Sequence, residues 1–290
     1  MRSVDVQIPG GMLLDGGWCR DAVLRPLTGD DELMLLEEGR RLPMAARVTA
    51  VLQRCVVRIG PLGAVTRDHI RHLSVGDREA LLLHLRRLTL GDRMSCILTC
   101  PRAECGKKMD LDLNISELLL PPYPHASDLH AAPIGEGDDT YRVTFRVPNG
   151  ADQEAAAALT ADAPDSAADL LLRRCVRQVE RADRGDAVSG IPEAVVAALP
   201  AKMAELDPQA EILLDLQCPE CGHPFEAVLD AADYIWKELE AGQADLYREI
   251  HVLASNYHWS EADILSLTRR NRRRYLDLIF DSTPEGRPHE

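Results

Sequence analysis

The sequence predicts an α+β protein, mainly helical, built as two tandem helix–hairpin units that share one four-cysteine site and are followed by a C-terminal helical segment. Three observations lead there. Two cysteine pairs, Cys100/Cys105 in "CPRAECG" and Cys218/Cys221 in "CPECG", each stand between short stretches of period-two alternation. An amphipathic helical stripe upstream of the first pair recurs upstream of the second, with Cys55 answering to Cys175. Beyond residue 230 the apolar residues keep helical spacing alone.

Composition bounds the rest. At 290 residues the chain is long enough for two modules, and 46% hydrophobic residues can bury a sizeable core. Aromatic residues make up only 4%, so aliphatic side chains must fill that core. A formal net charge of −14 argues against a general grip on phosphate backbones or anionic membranes, because such a grip comes from Lys and Arg. No apolar run approaches the roughly 18–20 residues that span a bilayer. The opening "MRSVDVQIPGG" lacks the charged-then-apolar order of a signal peptide. The expectation is a cytoplasmic protein with no membrane association, whose eight cysteines are thiols or metal ligands rather than a disulfide framework.

Residues 1–24 form an N-terminal segment, and the first unit is read over 25–120. There "RPLTGDDE" at 25–32 is a turn leading into a helix, with Asp30, Asp31 and Glu32 at the positive end of the helix dipole. Val48, Val51, Leu52, Cys55, Val56 and Ile59 follow the spacing of an amphipathic helix. A further helix carrying Leu85 and Leu88 leads to Met94, Cys96 and Leu98, and Met109, Leu111 and Leu113 follow the first cysteine pair. Period two marks both stretches as half-buried strands.

Residues 121–140, "PPYPHASDLHAAPIGEGDDT", hold four prolines and no apolar period, and read as a linker. The second unit, 141–230, repeats the first. "RVPNGADQE" mirrors the earlier turn; Ala168, Leu171, Leu172, Cys175, Val176 and Val179 mirror the stripe; Met203 and Leu206 mirror Leu85 and Leu88. Ile212, Leu214 and Leu216, then Phe225, Ala227 and Leu229, flank the second cysteine pair in the same phase. An Arg-Cys-Val triplet occurs in each unit, at Arg54–Val56 and Arg174–Val176. These correspondences point to a tandem duplication. "ERADRGDAVSG" at 180–190 is a polar loop, and its RGD is a turn rather than a recognition signal.

Residues 231–281 read as helices. Ile235, Leu239, Leu246, Ile250 and Leu253 form one stripe, Ser260 with Asp263 forms a capping box, and Tyr275, Leu276 and Ile279 face inward on the last helix. Residues 282–290 are a tail.

The cysteine pairs carry the most specific chemistry. Each has a proline after the first cysteine and a glycine after the second, as a turn needs when its amides must face the sulfurs. Four thiolates on two such turns are a preferred tetrahedral set for Zn2+, so Cys100, Cys105, Cys218 and Cys221 are expected to hold a structural zinc in a zinc-ribbon-like site that staples the two units. Five arginines, Arg269, Arg270, Arg272, Arg273 and Arg274, form the strongest positive feature. They read either as a partner-binding face or as a solvated helix face balancing an acidic body. His69 and His72 lack a third ligand in sequence and read as surface residues. There is no Walker loop, G-x-G-x-x-G after a strand, G-x-S-x-G or H-E-x-x-H, and the expectation is not an enzyme.

Taken together, "LTGDDELMLLEEG", "VGDREALLLHLRRLTLGD", the two cysteine turns and "IHVLASNYHWSEADILSLTRRNRRRYLDLI" resemble the T4-type baseplate hub assembly chaperone family of contractile phage tails and phage-tail-like injection systems. The resemblance covers nearly the whole chain, with the 121–140 and 180–190 stretches as gaps. It implies a non-enzymatic role in building a baseplate, with baseplate or hub proteins as partners and no nucleic acid. The contrasting class is a zinc-ribbon nucleic-acid-binding adaptor, which needs basic or stacking residues at the cysteine turns. Lys107 and Lys108 are the basic pair there, beside Asp110 and Asp112.

Overall fold

Pro9-Gly10-Gly11 carries the signature of a turn, yet the chain runs straight through it as a strand. In the computed structural model, which describes residues 3–15, 17–37, 39–123, 129–135, 140–159 and 164–282, β1 (Val4–Leu14) pairs antiparallel with β2 (Gly17–Leu24), with a register shift between Gln7 and Met12. Gly11, at φ 88°, takes the backbone conformation that the irregularity requires. The stretch is held by Asp77, whose carboxylate accepts from Gly10 N at 2.7 Å and Gly11 N at 2.9 Å.

α1 (Gly29–Glu37) and α2 (Met44–Cys55) follow, and α2 passes directly into β3 (Val56–Ile59), which completes a sheet of order β1-β2-β3. The single helical stripe expected over residues 48–59 is therefore corrected. Its last two members, Val56 and Ile59, belong to a strand. A step of four satisfies both the helical and the strand period, so Leu52 to Val56 and Cys55 to Ile59 carry no sign of the change. α3 (Arg67–His72) and α4 (Val75–Leu90) lead to the first cysteine hairpin, β4 (Arg93–Thr99) and β5 (Lys108–Asn114), and to a short α5 (Ile115–Leu118).

The second half begins inside the expected linker. Residues His130–Ile134 form β6, an edge strand paired with β7 (Tyr141–Phe145). Pro133 is tolerated on an edge, and Ala132 is too small to give a hydrophobic period, which is why the strand was not legible. The rest of that linker at 124–128 and 136–139, and the tail from 283 on, lie outside the described residues. α6 (Gly150–Ala157) and α7 (Pro164–Cys175) precede β8 (Val176–Arg181), giving the order β6-β7-β8. As in the first half, the third strand continues directly from a helix ending in cysteine. Val176 and Val179 thus also move from the expected helix to a strand. At the tip beyond β8, Gly185 takes φ 72° in a tight turn closed by Arg181 N on Asp186 O at 2.9 Å, so the RGD tripeptide is a hairpin turn.

α8 (Glu193–Leu206) leads to the second cysteine hairpin, β9 (Ile212–Gln217) and β10 (Pro224–Leu229). α9 (Ala231–Ala241), α10 (Gln243–Tyr257), α11 (Glu261–Leu265) and α12 (Arg269–Ser282) close the described chain. Among the described residues, cores form in three places. The largest joins β1–β3, α1, α2 and α4 to Ile235, Trp236 and Leu239 of α9. A second lies under β6–β8 around Val143, Phe145, Cys175, Val195 and Leu199. The third, around Met94, Ile115 and Ile212, joins the two cysteine hairpins.

The same polar knot sits at the start of α1 and of α6. Asp31 accepts from Arg25 at 2.5 Å, from Arg54 Nε at 2.7 Å and from Thr28 N at 2.9 Å. Asp152 accepts from Arg146 at 2.5 Å, from Arg174 Nε at 2.7 Å and from Asn149 N at 3.0 Å. Both aspartates are fully buried. Burial alone would push each carboxyl up, but the guanidinium and amide donors outweigh it and hold both below the usual carboxylate range.

Candidate metal centre

The inner faces of the cysteine hairpins match residue for residue. Met94 lies opposite Leu113, Cys96 opposite Leu111 and Leu98 opposite Met109; in the second hairpin Ile212 lies opposite Leu229, Leu214 opposite Ala227 and Leu216 opposite Phe225. The alternation read from sequence is thus the alternation of the strands, and Met94, Leu113, Ile212, Leu214 and Leu229 of these faces meet in the small shared core.

Beyond the strands, each turn is closed the same way. Cys100 N donates to Lys107 O at 2.9 Å, and Cys218 N donates to His223 O at 3.0 Å. Gly106 at φ 53° and Gly222 at φ 68° occupy the left-handed region, which glycine reaches without the Cβ penalty. The longer first loop uses its additional residues for a turn in which Cys105 N and Gly106 N both donate to Arg102 O.

The turns bring the four sulfurs of Cys100, Cys105, Cys218 and Cys221 within 4.8 Å of one another. Cys100 Sγ lies 3.8 Å from Cys221 Sγ, and Cys105 Sγ lies 3.8 Å from Cys218 Sγ. A tetrahedral ion with metal–sulfur bonds of about 2.3 Å requires sulfur–sulfur edges of about 3.8 Å. The donor set therefore fits a thiophilic, four-coordinate metal. Cys100 and Cys218 are buried and the other two half-buried. The amides of Cys221 and Glu220 draw the Cys218 thiol down, whereas desolvation pushes Cys100 up. Among such crowded sulfurs a divalent cation can replace the protons and relieve the repulsion between thiolates.

A family model described as T4 bacteriophage base plate protein matches residues 17–233, a span that includes both hairpins and all four cysteines. The chain belongs to the T4 bacteriophage base plate protein family. No curated protein and no solved structure matches it.

The match to the T4 base plate family ends within α9, so the five arginines lie outside it. They do not act as one face. Arg272 is fully buried, its Nε donating to Glu249 at 2.7 Å and its Nη2 to Glu32 at 3.0 Å. It is a structural residue, which corrects its assignment to a partner-binding set. Arg270, Arg273 and Arg274 are exposed and Arg269 half-buried, along a cleft shared with Arg87 and Asp245. Of the inward residues expected on α12, Tyr275, Leu276 and Ile279 are only half-buried. His69 and His72 also have local partners: His69 Nδ1 accepts from Thr66 N at 3.1 Å in a capping box, and His72 Nδ1 lies 2.6 Å from Asp68 O.

Sequence reasoning missed Asp77, Arg78 and Asp207 in this base plate protein. Asp207 accepts from Gly76 N at 2.9 Å and from the Tyr123 hydroxyl at 2.6 Å. Asp77 holds the β1 glycines, and its burial pushes its pKa up to about 7. A local signal that could have pointed to Asp77 is Ser74, the N-cap of α4, whose hydroxyl accepts from Asp77 N at 3.1 Å. The partners of the carboxylates lie too far along the chain for any local pattern to reveal them.

Proposed function

We propose that the chain is a non-enzymatic assembly chaperone or retained component of the baseplate hub of a contractile tail or contractile injection system. In this reading a single Zn2+ on Cys100, Cys105, Cys218 and Cys221 staples two duplicated units into one rigid body. The observation that carries it is the convergence of two hairpins, with sulfurs 113 and 121 residues apart in sequence, onto one tetrahedral thiol cluster in a baseplate-family protein. Four protein ligands leave no open position for water, so the chemistry this ion supplies is structural. The matching Arg-Asp-Arg knots and sheet orders support the duplication, and they enlarge each unit by its leading strands.

A body of this kind acts by binding. An acidic helper that covers an aggregation-prone surface stabilises a subunit's folded state by mass action and leaves when its neighbour arrives. The exposed Arg270, Arg273 and Arg274 are the proposed contact with acidic surfaces of baseplate or hub proteins. Assembly in the cytoplasm is part of this proposal; among the described residues no helix is long and apolar enough to cross a membrane. The nucleic-acid adaptor reading is not favoured, because the exposed Lys107 and Lys108 stand between the exposed Glu104 and Asp110 in the first hairpin, and Glu220 is exposed in the turn of the second.

Two measurements test this. Purified protein should contain one equivalent of zinc. It should co-purify with baseplate proteins encoded beside it, and Arg270→Glu, Arg273→Glu and Arg274→Glu together should abolish that retention. Metal-free protein of unchanged stability defeats the staple, and undiminished retention by the triple variant defeats the arginine contact.

A further inference from the structure

The starts of α1 and α6 are each seated on another helix start, and the two seats are built alike. Gly29 N donates to Leu267 O at 3.0 Å beside a bridge between Thr28 and Thr268; Gly150 N donates to Leu73 O at 3.2 Å beside a bridge between Asn149 and Ser74. Four residues after each bridge stands a fully buried arginine, Arg272 or Arg78. A Cβ on Gly29 would lie 2.9 Å from the Arg272 guanidinium, and a Cβ on Gly150 would run into that of Arg78. Three residues into each seated helix a side-chain oxygen accepts from that arginine. Glu32 does so from Arg272 Nη2 at 3.0 Å, and Gln153 from Arg78 Nε at 3.1 Å.

The receiving segments also correspond without a gap. "TRDHIRHLSVGDR" at 66–78 and "SEADILSLTRRNR" at 260–272 place a hydroxyl N-cap first and a capping-box partner at His69 or Asp263. Both place a fully buried isoleucine next, at Ile70 or Ile264, then Ser74 or Thr268, then the arginine. α11–α12 is thus a second version of α3–α4. The first version joins the two halves of the molecule, which have separate cores. The second folds back onto the first helix of the chain. In the second half the matching place at the start of α8 holds Pro192 and the exposed Val196, and no arginine.

We propose that the Thr28–Gly29–Glu32 end of α1 is an interaction surface for a helix start bearing Ser or Thr followed four residues later by Arg, and that α11–α12 is its resident, displaceable occupant. The partner it fits is another protein chain presenting such a start. Recognition uses a two-residue backbone bridge, a glycine that admits the guanidinium, and a carboxylate to receive it. His258, left-handed at φ 57°, ends α10 and is the joint between it and the occupant.

The test uses full-length protein carrying Arg272→Ala, which disables the resident occupant, and fluorescent peptides of residues 258–282 and 64–90. Both peptides should bind this variant, and each should lose at least about tenfold in affinity when its own arginine becomes alanine. Wild-type protein should bind both at least about tenfold more weakly, because its seat is filled. Failure of the 64–90 peptide to bind overturns the shared recognition. Equal binding to wild-type and variant overturns the occupied seat. Should Arg272→Ala not fold, hydrogen exchange on Glu32 variants decides. Glu32→Gln should keep residues 261–275 protected, since Gln153 serves Arg78 in the same way, whereas Glu32→Ala should raise their exchange at least about tenfold. Equal exchange in the two variants refutes the proposal.

Discussion

Cutting the link between the cysteine hairpins isolates the energetic weight of the proposed metal. Cys218→Ser with Cys221→Ser removes both ligands of the second hairpin, so any ion left on Cys100 and Cys105 no longer joins distant parts of the chain. The ligands lie 113 and 121 residues apart, and a cross-link closing a loop of roughly 100 residues lowers the entropy of the unfolded chain by about 4–5 kcal/mol. The folded hairpins still meet through Met94, Ile115 and Ile212, so the native state should persist with that stabilisation removed. With a denaturant slope of about 3 kcal/mol/M, the urea midpoint should fall by about 1.5 M. Unfolding is followed by tryptophan fluorescence, to which Trp236 contributes from within the largest core, in a cluster that contains none of the four clustered cysteines. A strong chelator should bring wild-type protein down to the variant's curve and leave the variant unmoved. Coincident curves for all four conditions, or a wild-type protein that never contained metal, would refute the reasoning.

Three further outcomes follow from the geometry. Asp152→Ala leaves Arg146 and Arg174 without their shared carboxylate and removes the half of the α6 capping box that accepts from Asn149 N; both arginines reach solvent, so the cost should be about 3 kcal/mol in urea unfolding, the low end for a broken buried pair. Because Asp31 and Asp152 titrate below their ordinary value of 3.8 in the folded protein, they bind fewer protons folded than unfolded. The stability they contribute is present above about pH 4 and is lost as pH falls, so Asp152→Asn should flatten the acid limb of a stability–pH curve; an unchanged limb counts against the knot. Gly222→Ala, at φ 68° with only Gln217 Nε2 near the new Cβ, at 4.0 Å, should cost only about 1–2 kcal/mol of backbone strain and leave metal content unchanged in a zinc assay.

The sequence alone determined the two hairpins, their inward faces and the four cysteines. Each depends on a period of two or on a turn of a few residues, and both signals are complete within a short window. It also carried the repeated turn-helix starts at Asp31 and Asp152. Only the tertiary structure decided what the long-range partners settle. Gly10 and Gly11 remain in a strand because Asp77 takes their amides from 67 and 66 residues away. Residues His130–Ile134 become a strand because β7 supplies an edge to pair with. Arg272, which by composition belongs with the four arginines around it, is buried because Glu32 reaches it from 240 residues away. A charge can leave water only where a partner is already waiting, and the position of that partner is a property of the fold rather than of any stretch of chain.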